Sequence, residues 1–161
     1  MALKADRYEE STDISFFSNA TATRGGVVCL ADLGLASGAA LDQGENLVSY
    51  QQITGASQIP VGILLNDVVD KDLTRTHLNQ YKDEVQKGGK VTVLTRGWVV
   101  TNNVTGTPTA GALAYADGVT AGNITAGNVD PAASGNPVGR WMSRKDADGY
   151  AKLYVNLPNF A

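Results

Sequence analysis

The stretch KVTVLTRGWVVT, residues 90–101, decides the fold class of this chain. Valine and threonine dominate it, and their β-branched side chains favour the extended backbone of a strand over a helix. Gly97 lies near the middle, where a glycine indicates a bulge or a bend. The stretch therefore predicts one long β-strand with a local irregularity.

Shorter apolar runs precede this stretch, and glycine-bearing turns separate them. Each run has the length and composition of a strand bounded by turn residues. Strands are predicted at residues 27–31, 46–53 and 61–69.

Two further runs, residues 138–143 and 150–155, flank the turn sequence Asp146–Gly149. Gly149 can adopt the positive φ that a tight turn requires, so the segment predicts a terminal β-hairpin. The second run alternates Tyr, Lys and Tyr with Ala, Leu and Val, which is the period of a half-buried strand.

The chain also shows an internal repetition. The element Gly38–Leu41 precedes Pro60-Val61-Gly62, and the similar element Gly111–Ala114 precedes Pro137-Val138-Gly139. A proline suits the entry of a strand, and a glycine permits close approach of another backbone. The repetition predicts two related β units in one compact β-sandwich or barrel, although chance similarity remains an alternative in a chain with 18 glycines.

A length of 161 residues fits a single mainly β domain, which we place at residues 25–161. Residues 70–87 interrupt the β pattern as an insertion. Leu73, His77, Tyr81 and Val85 recur every four residues there, which predicts a short helix, although a long loop is equally compatible with the threonine and asparagine content.

Residues 1–24 form the third part of the predicted organisation, an extended N-terminal arm. They mix charges with isolated aromatic residues and show no sustained period. Two interpretations stay open: a partner orders the arm, or Ile14, Phe16 and Phe17 fold back onto the core of the domain.

Composition argues against several classes of partner. The net charge is −3 and basic residues are scattered, so no nucleic-acid footprint is visible. No apolar stretch reaches the roughly 18 residues of a membrane span, and the N-terminus leads into charged residues. We therefore expect a protein that is made and used in the cytoplasm, or assembled there into something larger. The single cysteine, Cys29, lies in an apolar run and is expected to be buried.

The sequence offers little for catalysis. His77 is the one histidine, and no metal-binding, nucleotide-binding or nucleophile motif is present. The acidic clusters at residues 67–72 and 146–149 fit solvated turns better than a calcium loop. We therefore expect no enzymatic activity, no cofactor and no metal site.

A resemblance is carried by residues 88–101, 110–115, 137–140 and 148–150. In this order they resemble structural proteins of marine and cyanobacterial phages and, more remotely, the lambda-type head-decoration (cement) proteins. The resemblance implies a β-rich protein on the outer surface of the virion capsid, assembled in the host cytoplasm. It further implies homotrimers at three-fold positions that bind the major capsid protein and reinforce the expanded head.

A cement protein of this kind would bridge neighbouring capsid subunits, for which an arm with spaced apolar anchors is suited. Tyr8, Ile14, Phe16 and Phe17 are therefore the predicted partner-binding residues.

The alternative is a phage fibre or glycan-binding module with an exposed aromatic platform. Its candidates are Trp98, Trp141, Tyr115 and Tyr150, although we expect both tryptophans to pack in the core.

Overall fold

The computed structural model describes residues 3–4, 6–18, 22–30, 46–49, 59–69, 84–85, 88–116, 129–130 and 136–157. Within these ranges the chain contains twelve β-strands and no helix, which confirms the mainly β fold class. The strands are β1 (Tyr8–Asp13), β2 (Phe17–Ser18), β3 (Ala22–Thr23), β4 (Val27–Leu30), β5 (Leu47–Ser49), β6 (Pro60–Val69), β7 (Glu84–Val85), β8 (Lys90–Thr101), β9 (Leu113–Ala116), β10 (Val129–Asp130), β11 (Pro137–Trp141) and β12 (Ala151–Asn156).

Five of these strands close into a barrel. The hydrogen-bonded order is β8, β2, β5, β4, β6 and back to β8. The pairing of β2 with β5 is parallel, and the other four are antiparallel. Closure gives every strand of the ring a neighbour on each side, so the barrel itself has no open edge.

Strand β8 extends beyond the barrel and carries a second group of strands. Its first half, from Lys90 to Leu94, pairs with β6, and its second half, from Arg96 to Thr101, pairs with β12. The sheet then continues through β11 and β9 to β10. Val129 in β10 bridges back to Val104, three residues beyond the end of β8. The second group therefore curls back toward the strand from which it starts.

The two groups share one set of pairings. Strand β4 pairs with β5 and β6, and β6 pairs with β8; in the same way β9 pairs with β10 and β11, and β11 pairs with β12. Pro60 opens β6 and Pro137 opens β11. The element Gly38–Leu41 lies outside the described residues.

Gly62 and Gly139, which follow these prolines by two positions, occupy equivalent close contacts. A Cβ at Gly62 would overlap with the carbonyl oxygen of Leu94, and a Cβ at Gly139 would overlap with that of Tyr154. The absence of a side chain therefore lets β6 approach β8, and β11 approach β12, more closely than another residue would allow.

Two clusters of buried apolar side chains form the core. The smaller one contains Val28, Val48, Leu64, Val91 and Val93, contributed by barrel strands, together with Ala22. The larger one joins the opposite faces of β4, β6 and β8 to the second group; its largest members include Ile63, Leu65, Leu94, Trp141 and Leu153. Strand alternation therefore makes β8 contribute to both clusters.

Cys29 belongs to the larger cluster and is 2% exposed, which confirms its predicted burial. Desolvation raises the pKa of its thiol to about 12. The side chain therefore stays a neutral thiol and packs as a small apolar group.

The local predictions on the strands hold well. Strand β8 spans residues 90–101 as predicted, and β4, β5 and β6 fall within or next to their predicted ranges. The terminal hairpin of β11 and β12 is present, with a φ of 84° at Gly149 and buried residues alternating along β12. Residues 31 and 50–53 lie outside the described part of the chain.

Gly97 has the irregular backbone that the sequence indicates, with a φ of 143°. The extra residue lies in the neighbouring strand: Glu9 pairs with Gly97 and Ser11 with Arg96, so Glu10 is inserted between them. A Cβ at Gly97 would overlap with the carbonyl oxygen of Tyr8.

The helix predicted over residues 70–87 is wrong at its C-terminal end. Glu84 and Val85 form strand β7, which pairs with Ala22 and Thr23 of β3. Pairing with another strand fixes an extended backbone that overrides the four-residue apolar spacing. Residues 70–83, 86 and 87 lie outside the described part of the chain.

The N-terminal residues run antiparallel along β8. Leu3 bridges Thr101, β1 pairs with residues 93–98, and Phe17 of β2 pairs with Lys90. Leu3 is 6% exposed and belongs to the larger core cluster. The division into an arm at 1–24 and a domain at 25–161 stays a prediction.

Substitution of Gly139 by alanine tests the close contact between β11 and β12. We expect Gly139→Ala to lower the free energy of unfolding by about 2–3 kcal/mol, because the strands must separate to admit the methyl group. Gly111→Ala is the matched control: Gly111 has a φ of 89° with no atom within 4 Å of a Cβ, so only backbone strain of about 1 kcal/mol applies. Urea unfolding measures both, and an equal or smaller loss for Gly139→Ala would contradict the contact.

Candidate functional site

A row of large side chains crosses the outer face of five strands. Cross-strand pairing places Leu113 opposite Arg140, Arg140 opposite Tyr154, Tyr154 opposite Trp98, and Trp98 opposite Tyr8. We call these five residues the outer row. Since neighbouring strands lie about 4.8 Å apart, the outer row is roughly 20 Å long.

The opposite face of four of these strands, β8, β9, β11 and β12, packs against the core. Val99, Leu153, Val155, Ala114 and Val138 are 0% exposed and belong to the larger core cluster. Directly opposite partners in an antiparallel sheet lie on the same face, so the outer row points away from this core. Tyr8 is 58% exposed and Leu113 is 43% exposed.

Three aromatic rings occupy one end of the outer row. The ring centroids of Tyr8 and Trp98 are 5.2 Å apart with an interplanar angle of 41°, and those of Trp98 and Tyr154 are 5.6 Å apart at 48°. These are favourable tilted contacts between rings. The indole of Trp98 is thus half-buried between two tyrosines from different strands.

A charged group lies beside the aromatic rings. Arg96 Nε is 2.9 Å from Glu10 Oε2 and donates a hydrogen bond to the Tyr154 hydroxyl at 3.2 Å. The bond with Tyr154 and the nearby Glu10 carboxylate raise the pKa of Arg96. Arg96 therefore connects β1 and β12 across the outer face of β8.

The other end of the outer row borders a shallow depression of about 200 Å³. Its lining includes Leu113, Arg140 and Tyr154 of the outer row. The Arg140 guanidinium donates a hydrogen bond to the carbonyl oxygen of Gly111, which directs the side chain over this depression. The depression is small and open, so it suits an inserted side chain of a partner better than a separate small ligand.

The predicted arm residues are divided between two environments. Tyr8 belongs to the outer row, and Ile14, just after β1, is 51% exposed. Phe16 packs against the smaller core cluster, and Phe17 is half-buried in β2. Phe16 therefore packs on the domain, whereas Tyr8 and Ile14 are exposed, and ordering of the arm by a partner stays a prediction.

The two tryptophans differ in burial. Trp141 is 0% exposed, which confirms its predicted place in the core. The same prediction for Trp98 is wrong, because the pleat of β8 turns Trp98 outward while its neighbour Val99 faces the core. A platform made of both tryptophans is therefore not formed.

The turn of the terminal hairpin holds the far end of the N-terminal segment. Asp146 Oδ1 accepts hydrogen bonds from the backbone N–H groups of Asp148 and Tyr150, and Asp146 Oδ2 is 3.1 Å from Lys4 Nζ. The backbone bond from Tyr150 and the ion pair with Lys4 lower the pKa of Asp146. The carboxylate thus organises a turn, as the sequence predicts.

The described residues hold no group of three or more His, Cys, Asp or Glu side chains that could ligate a metal ion. Nor do the described ranges include an apolar helix of membrane-spanning length. His77 lies outside them.

Sequence reasoning missed Leu113, Arg140, Arg96 and Glu10. The alternation along β12 could have indicated Tyr154, since it places that residue on the polar side of the strand. Nothing local to the sequence indicates that Tyr8 pairs with Trp98 or Glu10 with Arg96, because those contacts depend on a pairing between distant segments.

Comparison with known families gives one match. The family model described as "Structural cement protein (E217 gp24/Pam3 gp6)" matches residues 8–156 of this chain. The matched region contains all twelve strands and the whole outer row. A comparison with curated proteins gave no match.

Acid titration tests the attachment of Lys4 to the hairpin turn. Because the folded pKa of Asp146 lies below its usual 3.8, its charge stabilises the fold above that pH, and the contribution is lost as the pH falls through the folded value. Asp146→Asn keeps an oxygen for the turn but removes the charge. We expect it to unfold at a lower temperature than the wild type at pH 7 and at nearly the same temperature at pH 2.

Thermal unfolding followed by circular dichroism measures this difference. Asp148→Asn removes an exposed carboxylate from the same turn and should show a smaller pH-dependent difference. Equal melting temperatures for wild type and Asp146→Asn at pH 7 would contradict the role of the ion pair.

Proposed function

The chain belongs to the phage structural cement protein family, and on that premise we propose that it stabilises the capsid by bridging neighbouring capsid subunits through the outer row. Membership makes it a structural protein of the virion capsid that binds capsid proteins and stabilises the capsid. The contact surface, the partner subunit and the arrangement of copies belong to the proposal.

The composition of the outer row carries the proposal. Tyrosine, tryptophan and arginine are the residues that contribute most to the energy of protein interfaces, and the outer row contains two tyrosines, one tryptophan and one arginine. Leu113 adds an exposed apolar side chain at one end and Tyr8 at the other. A partner that covers the outer row would remove this apolar surface from water.

The strands beneath the outer row suit it to a mechanical role. Five strands connected edge to edge support the side chains, and a close-packed core lies directly behind four of them, β8, β9, β11 and β12. Side chains held on such a scaffold lose little conformational freedom on binding. A bridge made through them can therefore transmit force between capsid subunits without first deforming.

The N-terminal arm supplies the second part of the proposed contact. Of its four predicted partner-binding residues, Tyr8 and Ile14 are exposed enough to meet a partner directly. We propose that Phe16 and Phe17 act by attaching the arm to the barrel, since Phe16 packs against the smaller core cluster.

The partner we propose is the major capsid protein, with homotrimers of this chain at three-fold positions after assembly in the host cytoplasm. Symmetry presents many equivalent sites, so each added bridge forms at high effective concentration and modest single contacts suffice. The proposal requires no reactive group, and we assign no enzymatic activity to the chain.

Charge reversal at Arg140 tests the proposed contact. Interface arginines in such clusters typically contribute more than about 1.4 kcal/mol, so we expect Arg140→Glu to weaken binding to expanded heads of the cognate phage at least about tenfold. Sedimentation of heads with increasing amounts of labelled protein measures the affinity, and circular dichroism checks that the fold persists.

Arg144→Glu is the matched control, because Arg144 is exposed but lies in the hairpin turn outside the outer row. It should bind heads within about twofold of the wild type. Equal affinities for the two variants would exclude the outer row as the contact, and failure of the wild type to bind heads would contradict the proposed function itself.

A further inference from the structure

The geometry points to the free edge of β1 as a docking site, and we propose that it accepts an extended basic segment of a capsid subunit as an additional β-strand. This inference rests on the proposed function, because it names the part of the partner that the arm engages. It differs from the outer row in mechanism, since backbone hydrogen bonds would provide the attachment.

Strand β1 is paired along one edge. Within the described ranges its partner is β8, with which it shares residues 8–13 opposite residues 93–98. The Ser11 carbonyl oxygen faces β8, because it accepts a hydrogen bond from Thr95 Oγ1 at 3.0 Å. In a trans peptide the next N–H points the opposite way, so the Thr12 N–H is directed to the free edge.

The exposure of β1 is unusual for a strand in a packed sheet. Residues 8–12 are all exposed, although alternate side chains of a strand normally face a core. Strand β1 therefore projects beyond the core with both faces open. Tyr8 and Ile14 give each end of the strand a large exposed apolar side chain that an added strand could cover.

Charge indicates the nature of the added strand. Residues 6–13 contain four carboxylates and one guanidinium, a net charge of −3, and the ion pair between Glu10 and Arg96 of β8 leaves −2. A second copy of β1 on this edge would place like charges opposite one another, which destabilises a strand pair. A segment rich in lysine or arginine is favoured instead, since its charges oppose those of β1.

The edge is held in place before any partner binds. At one end the Lys4 N–H donates to the Val100 carbonyl oxygen at 2.9 Å, and Leu3 is buried. At the other end the Ser18 N–H donates to the Gly89 carbonyl oxygen at 2.9 Å. Only the incoming segment therefore has to become ordered on binding. The entropic cost of strand addition is lower than it would be if β1 also had to become ordered.

Cryo-electron microscopy of expanded heads saturated with wild-type protein tests the inference directly. We expect an extended capsid segment that carries lysine or arginine beside residues 8–13, at the strand spacing of about 4.8 Å. A free edge that faces solvent in every bound copy would overturn the inference, and so would an edge occupied by a second copy of this chain.

A pair of variants at Thr12 gives an independent test in solution. Thr12→Pro removes the N–H at the free edge, and Thr12→Val removes the same hydroxyl but retains the N–H. We expect Thr12→Pro to bind heads at least about fivefold more weakly than Thr12→Val. Equal binding of the two folded variants would overturn the inference.

The inference and the proposed function fail in different ways. Wild-type protein that does not bind heads would contradict the proposed function. If the wild-type protein binds heads at full occupancy while the free edge of β1 faces solvent, the proposed function stands and the inference is contradicted. A Thr12→Pro variant that does not fold leaves the reconstruction of the wild-type complex as the deciding result.

Discussion

Strand β8 forms backbone pairs along both of its edges over most of its length, and the rest of the structure depends on this constraint. One edge pairs first with β6 and then with β12, and the other pairs first with β2 and then with β1. A buried peptide group must find a hydrogen-bond partner, so twelve consecutive residues in the centre of a sheet bring four other strands to them. The barrel, the second group of strands and the N-terminal segment all meet on β8.

This arrangement explains how the fold supports the proposed partner surface. The inward side chains of β8 join the two core clusters, and its outward side chain Trp98 stands at the centre of the aromatic contacts. The aromatic rings and the arginines are therefore held by β8, the most extensively paired strand, or by strands paired with it directly or through β12. A cement protein acts through shape and attachment, and both are properties of this strand network.

Local structure could be predicted from the sequence because its causes are local. The β-branched run at 90–101, the glycine at 149 and the alternation along β12 each act within a few residues, and the structure has the strand, the turn and the buried face that they indicate. Burial of Cys29 also follows from the apolar run in which it lies.

Long-range pairing could not be predicted in the same way. Leu3 meets Thr101 and Tyr8 meets Trp98 across about ninety residues of chain, and no short pattern specifies such a register. The lack of a local signal for long-range pairing also explains the wrong prediction at Trp98. Composition favours burial of a tryptophan, but the pairing decides which face of β8 is covered. At Glu84 and Val85, pairing with β3 likewise prevails over a weak helical period.

The thermal release of DNA from expanded heads, measured with and without saturating protein, tests the central claim most directly. A protein that bridges neighbouring subunits adds contacts that must break before the shell opens, so the account predicts a higher release temperature that rises with occupancy. An unchanged release temperature on fully occupied heads would show that the protein binds the capsid without cementing it, and would contradict the account.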